Sequence, residues 1–232
     1  DWDIAAGQFF TTFRREAHVI DEFDDTRARE WFVALDYGFT HYTVALLGCM
    51  DGDGNVFVVD EHAERLWLPQ RHAAGIKAML ARHLVPVEGR WSRVEGGSPR
   101  TRALEVSDLK RLVAGADVFS RQSDGTTVAA QYGRQGFALR CANTDRINGW
   151  AEILHRLGDP DANIRPTMFI HRRCGRLLEC LPSLQHDPNR PEDVLKVDAD
   201  EDGVGGDDAA DALHYLIATK AREVRQRKLA GL

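Results

Sequence analysis

At 232 residues with 43% hydrophobic content, the chain can bury one substantial core, and a single α/β domain is the economical architecture. No apolar run approaches the roughly 18 residues needed to span a bilayer, and the N-terminus lacks a basic-then-apolar leader, so a soluble, intracellular protein is expected. The net charge of −6 argues against a surface that binds polyanions all over, and four scattered cysteines without a CxxC pair argue against a zinc site or a disulfide framework.

Residues 1–30 contain no complete periodic element and are expected to be a linker or domain edge. Trp31–Leu35 is an apolar, partly β-branched run suited to a central strand, and it ends in Asp36-Tyr37-Gly38, where the chain must turn. His41–Met50 and Val56–Asp60 are two further strands joined by the turn cluster Asp51-Gly52-Asp53-Gly54-Asn55, giving three antiparallel strands with an acid at the end of the first. Asp36 is then either a turn former or a functional carboxylate.

Pro69 opens a helix through Leu84, and Pro86 stops it. Residues 86–102 are rich in Gly, Arg and Ser and form a surface loop or hairpin. Arg90, Arg93, Arg100 and Arg102 are its candidates for touching a backbone phosphate, beside the plain alternative of a solvated connector. A strand over Leu112–Ala116 again ends in an acid, Asp117. A helix over Thr126–Gln135, a strand over Phe137–Cys141 and an amphipathic helix from Thr144 or Asp145 to Leu157 follow. Thr167–His171 is a strand, Cys174–Leu181 a short helix and Gln185–Asp202 a polar loop. The final helix, opened by Gly205-Gly206-Asp207-Asp208, runs to about Arg227.

Charge is segregated along the chain. Residues 1–64 carry 14 acids and 4 bases, residues 65–111 carry 10 bases and 4 acids, and residues 187–211 carry 10 acids and 2 bases. Acids for cations beside bases for phosphates is the distribution a metal-dependent enzyme acting on a phosphodiester needs, and it is also what many ordinary solvated surfaces show. Asp207 and Asp211, spaced i, i+4, share one face of the final helix, where acids also complement the helix dipole. If Asp36, Asp117 and Asp207 meet at one sheet edge, their repulsion calls for cations, and hard oxygen ligands suit Mg²⁺ or Mn²⁺. Two such ions about 4 Å apart can activate a water and stabilise a leaving oxygen without a protein nucleophile. There is no Gly-Lys dipeptide, GxGxxG or GxSxG, so neither a P-loop ATPase nor an α/β-hydrolase is supported. The Asp51–Asn55 cluster has Val56 and His62 where a calcium loop needs Gly and Glu, and it reads as a hairpin turn.

These residues resemble the C-terminal nuclease domain of the large terminase subunit of tailed double-stranded DNA phages. WFVALDYGFTHYTV resembles its first acidic strand; RINGWAEILHRLGD, LLECLPSLQHDPNRPEDV and GGDDAADALHYLI follow in the family's order, and DWDIAAGQFF resembles the segment leaving its ATPase domain. The resemblance implies an RNase H-like α/β fold, a central mixed sheet with its first three strands antiparallel and helices on its flanks, occupying residues 31–232. Residues 1–30 would be the linker or end of an ATPase domain. It also implies a two-ion endonuclease that cuts concatemeric viral DNA during genome packaging in the host cytoplasm. Asp36, Asp117 and Asp207 would be the metal triad, with Asp208 and Asp211 as auxiliary ligands or supporting groups. Double-stranded DNA, the ATPase domain, the small terminase subunit and the portal would be partners, and no membrane is involved. Asp117 is followed by Val118-Phe119 rather than the family's usual continuation, which leaves Asp124 as an alternative second acid. Adjacent helical residues point about 100° apart, so only one of Asp207 and Asp208 can face the site squarely. Two other readings share some of these features: another RNase H-like nuclease of resolvase or transposase type, or a non-catalytic module docking on DNA or the portal.

Overall fold

The computed structural model describes residues 7–87, 100–200 and 205–229, with side chains to residue 219. The chain enters through helix α1 (Arg15–His18) and strand β1 (Val19–Ile20), then forms the meander β2 (Glu30–Asp36), β3 (Thr43–Met50) and β4 (Val56–Glu64). Helix α2 (Pro69–Leu80) leads to a hairpin of β5 (Leu84–Pro86) and β6 (Thr101–Ala103). Next come β7 (Leu109–Ala114), α3 (Val128–Gly133), β8 (Arg140–Cys141), α4 (Arg146–Leu157), β9 (Met168–His171) and α5 (Gly175–Cys180). A second hairpin, β10 (His186–Asp187) with β11 (Arg190–Val194), precedes the final helix α6 (Asp208–Leu229).

The main sheet has the order β1-β9-β4-β3-β2-β7-β8. β2, β3 and β4 are mutually antiparallel, while β7 runs parallel to β2 and β8 parallel to β7. This is the RNase H-like arrangement, extended at its β4 edge by β9 and β1, both in parallel pairs. Both faces are covered. Phe32, Ala34, Val44 and Leu46 pack with Trp150, Ile153, Leu213 and Leu216 of α4 and α6. Trp31, Val33, Leu35, Ala45 and Leu47 pack with Ile76, Met79, Tyr132 and Phe137 on the other side. A sheet buried on both faces explains why the strands read as continuous apolar runs.

Several local expectations shift. The helix opened by Pro69 ends at Leu80, because Leu84–Pro86 is drawn into β5. β7 starts at Leu109, since the backbones of Leu109 and Arg111 already pair with β2. The strand expected over 137–141 keeps only Arg140–Cys141, because Phe137 turns into the core against Tyr132. The polar loop expected over 185–202 contains the β10–β11 hairpin. The stretch before Trp31, expected to be a linker, is built into the domain over its described part. Phe9, Phe10 and Phe13 are buried, the rings of Phe9 and Phe10 lie 6.2 and 6.0 Å from that of Trp150, and β1 pairs with β9. The Asp51–Asn55 cluster is the expected turn, with the Asp51 carboxylate accepting from the backbone N–H of Asp53 and Asn55.

Helices α4 and α6 cross closely at a glycine. A Cβ on Gly149 would lie 2.1 Å from Nε2 of His214, a fully buried side chain whose Nε2 is bonded to the Asp145 carbonyl at 3.0 Å. Gly149→Ala should therefore separate the two helices and cost about 1–3 kcal/mol, as overpacking does. Urea denaturation of the variant beside the parent chain measures it.

Candidate functional site

The period-two alternation of β2 sets the site. Phe32 and Ala34 face α6, so Asp36 at the strand's end faces α6 as well. β2 and β7 are parallel, with Leu35 opposite Ala114, so both strands leave the sheet at the same edge. The chain after β7 makes a tight 3-10 turn, Ala116–Phe119, which brings Asp117 to that edge. Gly115 permits the approach, since a Cβ there would lie 2.6 Å from the Asp117 carboxylate and 3.2 Å from the Tyr215 hydroxyl. The start of α6 supplies Asp207, Asp208 and Asp211.

Together these elements enclose a cleft of about 480 Å³. Asp36, Asp117, Asp207, Asp208 and Asp211 line it, joined by Asp198, Lys196, His41, Thr144 and Tyr215. Asp124, the alternative second acid, is exposed, caps a turn through Thr126 and does not line the cleft. Asp207 is buried and Asp208 partly so, and both reach the cleft from adjacent positions because Asp207 precedes the first helical turn.

Crowding and lost water push these carboxyls upward. Burial, then Asp211 and Asp208, hold Asp36 well above the usual carboxylate range. Burial and Asp211 push Asp207 up to about 6, outweighing the nearby Lys196. Loss of water also raises Asp208 and Asp117. The Tyr215 phenol is pushed up by burial beside Asp36, Asp211 and Asp117, so it stays a neutral donor.

Two bases not singled out in the sequence hold the cluster. Arg146, at the start of α4, donates to Asp211 at 2.7 Å, to Asp193 at 2.8 Å and to the Val194 carbonyl at 3.1 Å, with its guanidinium 5.1 Å from the Trp150 ring centre. Lys196, just past β11, pairs with Asp211 and lies 3.3 Å from Asp207. Both oxygens of Asp211 are thus engaged. The only sequence signal for Arg146 is its place in RINGWAEILHRLGD, and Lys196 sits in a polar segment with no periodicity to set it apart. His214 lies on the helix behind the cleft, fully buried against Trp150, and does not line it.

The donor set is all oxygen, the chemistry hard divalent cations take. Asp208 Oδ2 is buried without a hydrogen-bond partner, a carboxylate oxygen that a cation would satisfy. In the arrangement present, with Lys196 among the acids, no three His, Cys, Asp or Glu side chains of the described residues converge on one ion position.

Of the arginines expected to touch phosphate, the two described ones, Arg100 and Arg102, do not line the cleft. Arg90 and Arg93 are outside the described residues. Arg100 is exposed at the loop end of the β5–β6 hairpin, where its carbonyl accepts from the Val87 N–H, and Arg102 forms a two-pronged pair with Asp108 at 2.6 and 2.7 Å. The hairpin's root lies beside Asp25 and Trp31, through the Leu84 N–H to Asp25 and the His83 ring on Trp31. That is the opposite end of β2 from Asp36, about 17 Å away at the strand's usual rise.

No family model matches the chain, and no curated protein matches it either. Among solved structures, the chain is similar to the large terminase of a thermophilic bacteriophage in complex with ADP, at a TM-score of 0.63 and 15% identity, covering 92% of this chain and 44% of that one. It is also similar to the P22 large terminase nuclease domain, at a TM-score of 0.63 and 14% identity, covering 96% of this chain and 99% of that one. The chain spans less than half the length of the thermophilic phage protein.

The raised carboxyls make stability depend on pH. A group at about 6 in the folded chain and near 3.8 unfolded binds protons more tightly when folded. Its stabilisation is full below pH 4 and is lost as pH rises through 6. Asp207→Asn should therefore gain about 1–2 kcal/mol over the parent at pH 8 in EDTA, with the gain vanishing near pH 4, in denaturant titrations at the two pH values. In its strand order, and in its match to solved structures over nine-tenths of its length, the chain has the fold of the nuclease domain of large terminases.

Proposed function

We propose that this domain is a divalent-metal-dependent endonuclease that hydrolyses phosphodiester bonds of concatemeric double-stranded viral DNA during genome packaging. The observation that carries the reading is the meeting of Asp36, Asp117, Asp207 and Asp208, from three separate elements, around one cleft at one sheet edge. A helix-capping role would account for acids at the start of α6 but not for Asp36 and Asp117. The fold shared with the P22 nuclease domain favours packaging over a resolvase or transposase role.

Asp36, Asp117, Asp207 and Asp208 would hold the ions, Mg²⁺ or Mn²⁺ by donor chemistry, with Asp36 shared between two of them. Ions bound there supply an activated water and stabilise the leaving oxygen of the phosphodiester. Asp211, held through both oxygens by Arg146 and Lys196, acts as a supporting group that fixes the first turn of α6. Tyr215 and Thr144 offer neutral hydrogen-bond donors to a phosphate in the cleft. The basic hairpin carrying Arg90, Arg93, Arg100 and Arg102 would grip the phosphate backbone of the duplex. It positions DNA and takes no part in the chemistry. Within a full-length large terminase, an ATPase domain, a small subunit and a portal would govern when the cleft meets DNA, in the cytoplasm of the infected host.

Cleavage of supercoiled plasmid with Mn²⁺, Mg²⁺, Ca²⁺ or EDTA tests the reading. Cutting with Mn²⁺ or Mg²⁺, none in EDTA, and a loss of at least about 100-fold in Asp36→Asn and in Asp207→Asn is expected. Undiminished cutting by folded Asp36→Asn would sink the assignment.

A further inference from the structure

Arg146 and Lys196 both neutralise the acids, but they are held differently. Arg146 is tied to Asp193, Asp211 and the Val194 carbonyl and stacks by Trp150, so it is fixed. Lys196 has a side chain 61% exposed, and among the described residues its ammonium pairs with the two carboxylates Asp207 and Asp211. Its backbone is brought there by the strand-like contact in which the Asp207 N–H donates to the Val197 carbonyl at 3.1 Å. An ammonium on a flexible four-carbon stem is a compact point charge that leaves one partner for another readily, whereas a forked guanidinium with three acceptors does not.

The two positions that Lys196 bridges also matter. Asp207 is one of the carboxylates proposed to hold a cation, while Asp211 is already neutralised by Arg146 through its other oxygen. If Lys196 left, Asp211 would keep a counter-ion and Asp207 would be free to turn to an incoming one.

We propose that Lys196 is a tethered counter-ion that competes with the divalent cation for Asp207, so that the cation must displace its ammonium to engage that carboxylate. The inference rests on the metal-dependent reading above. It gives the domain a resting state in which Asp207 and Asp211 share an internal counter-ion, and it makes metal binding weaker than the bare carboxylates would allow. The displacement lowers the cation's apparent affinity by an amount set by the fraction of molecules in which Lys196 has swung away.

The test is Mn²⁺ binding by isothermal titration calorimetry to the chain without DNA, together with its thermal midpoint in EDTA. Lys196→Gln should tighten Mn²⁺ binding about three- to tenfold, as expected when an intramolecular competitor is removed. Lys196→Arg, whose forked guanidinium keeps the charge and is harder to displace, should bind Mn²⁺ no more tightly than the parent. Arg65→Gln is the charge control, removing one positive charge near the β4–α2 connection without touching Asp207. Equal tightening in Arg65→Gln and Lys196→Gln would mean a general field effect and overturn the proposal. Lys196→Gln with a lowered midpoint in EDTA and an unchanged Mn²⁺ affinity would also overturn it, leaving Lys196 as a structural pair. Asp36→Asn separates this proposal from the nuclease reading. Parent binding that depends on Asp36, with no gain in Lys196→Gln, sinks the competition alone, and no Mn²⁺ binding by the parent sinks both.

Discussion

The side-chain alternation of β2 is the constraint on which the site depends. The strand is buried on both faces, so its register is fixed by two sets of neighbours: Trp31, Val33 and Leu35 on one side, Phe32 and Ala34 on the other. A slip of one residue would exchange the sets and turn Asp36 away from α6. The parallel pairing with β7 adds the second requirement, because only parallel neighbours deliver their C-terminal ends to the same edge. Antiparallel β3 contributes its entry there instead, and the loop before it brings His41 to the cleft.

Packing against α6 then sets how close the acids come. Gly48 on β3 is part of this, since a Cβ there would lie 2.6 Å from the Phe32 ring and 3.1 Å from Leu216. Small residues at the helix start, Ala209, Ala210 and Ala212, are all buried. The result is a helix N-terminus pressed onto the sheet edge, where its dipole partly offsets the charge gathered there. Offsetting is incomplete, as the raised Asp36 and Asp207 carboxyls show. The fold thus holds an electrostatic cost that packing energy sustains.

Much of this was legible in the sequence, for physical reasons that differ from residue to residue. Asp36 stood out because it ends an apolar run, and the i, i+4 spacing of Asp207 and Asp211 announced a shared face. Asp117 was legible as an acid after a strand, although the intervening turn was not. Arg146 and Lys196 were hidden because a charged residue in a polar segment carries no periodic signal, and its partner is set by tertiary contact alone. The phenylalanines at 9, 10 and 13 were hidden for a related reason: they are buried from irregular backbone, so neither a period of two nor one of 3.6 reveals them. The arginine-rich hairpin was seen as a feature, but its distance from the acids depends on which end of β2 it is rooted at, and that is topology.

Those phenylalanines have a consequence for the acids. Phe9 and Phe10 rest on Trp150; the Trp150 indole N–H donates to Asp193 at 2.8 Å; Asp193 holds Arg146; and Arg146 holds Asp211. The segment ahead of the sheet and the carboxylate cluster are therefore neighbours through a short relay of rigid contacts. The stretch that looks like a tail is mechanically part of the wall behind the cleft, and a domain boundary drawn at Trp31 would cut through it.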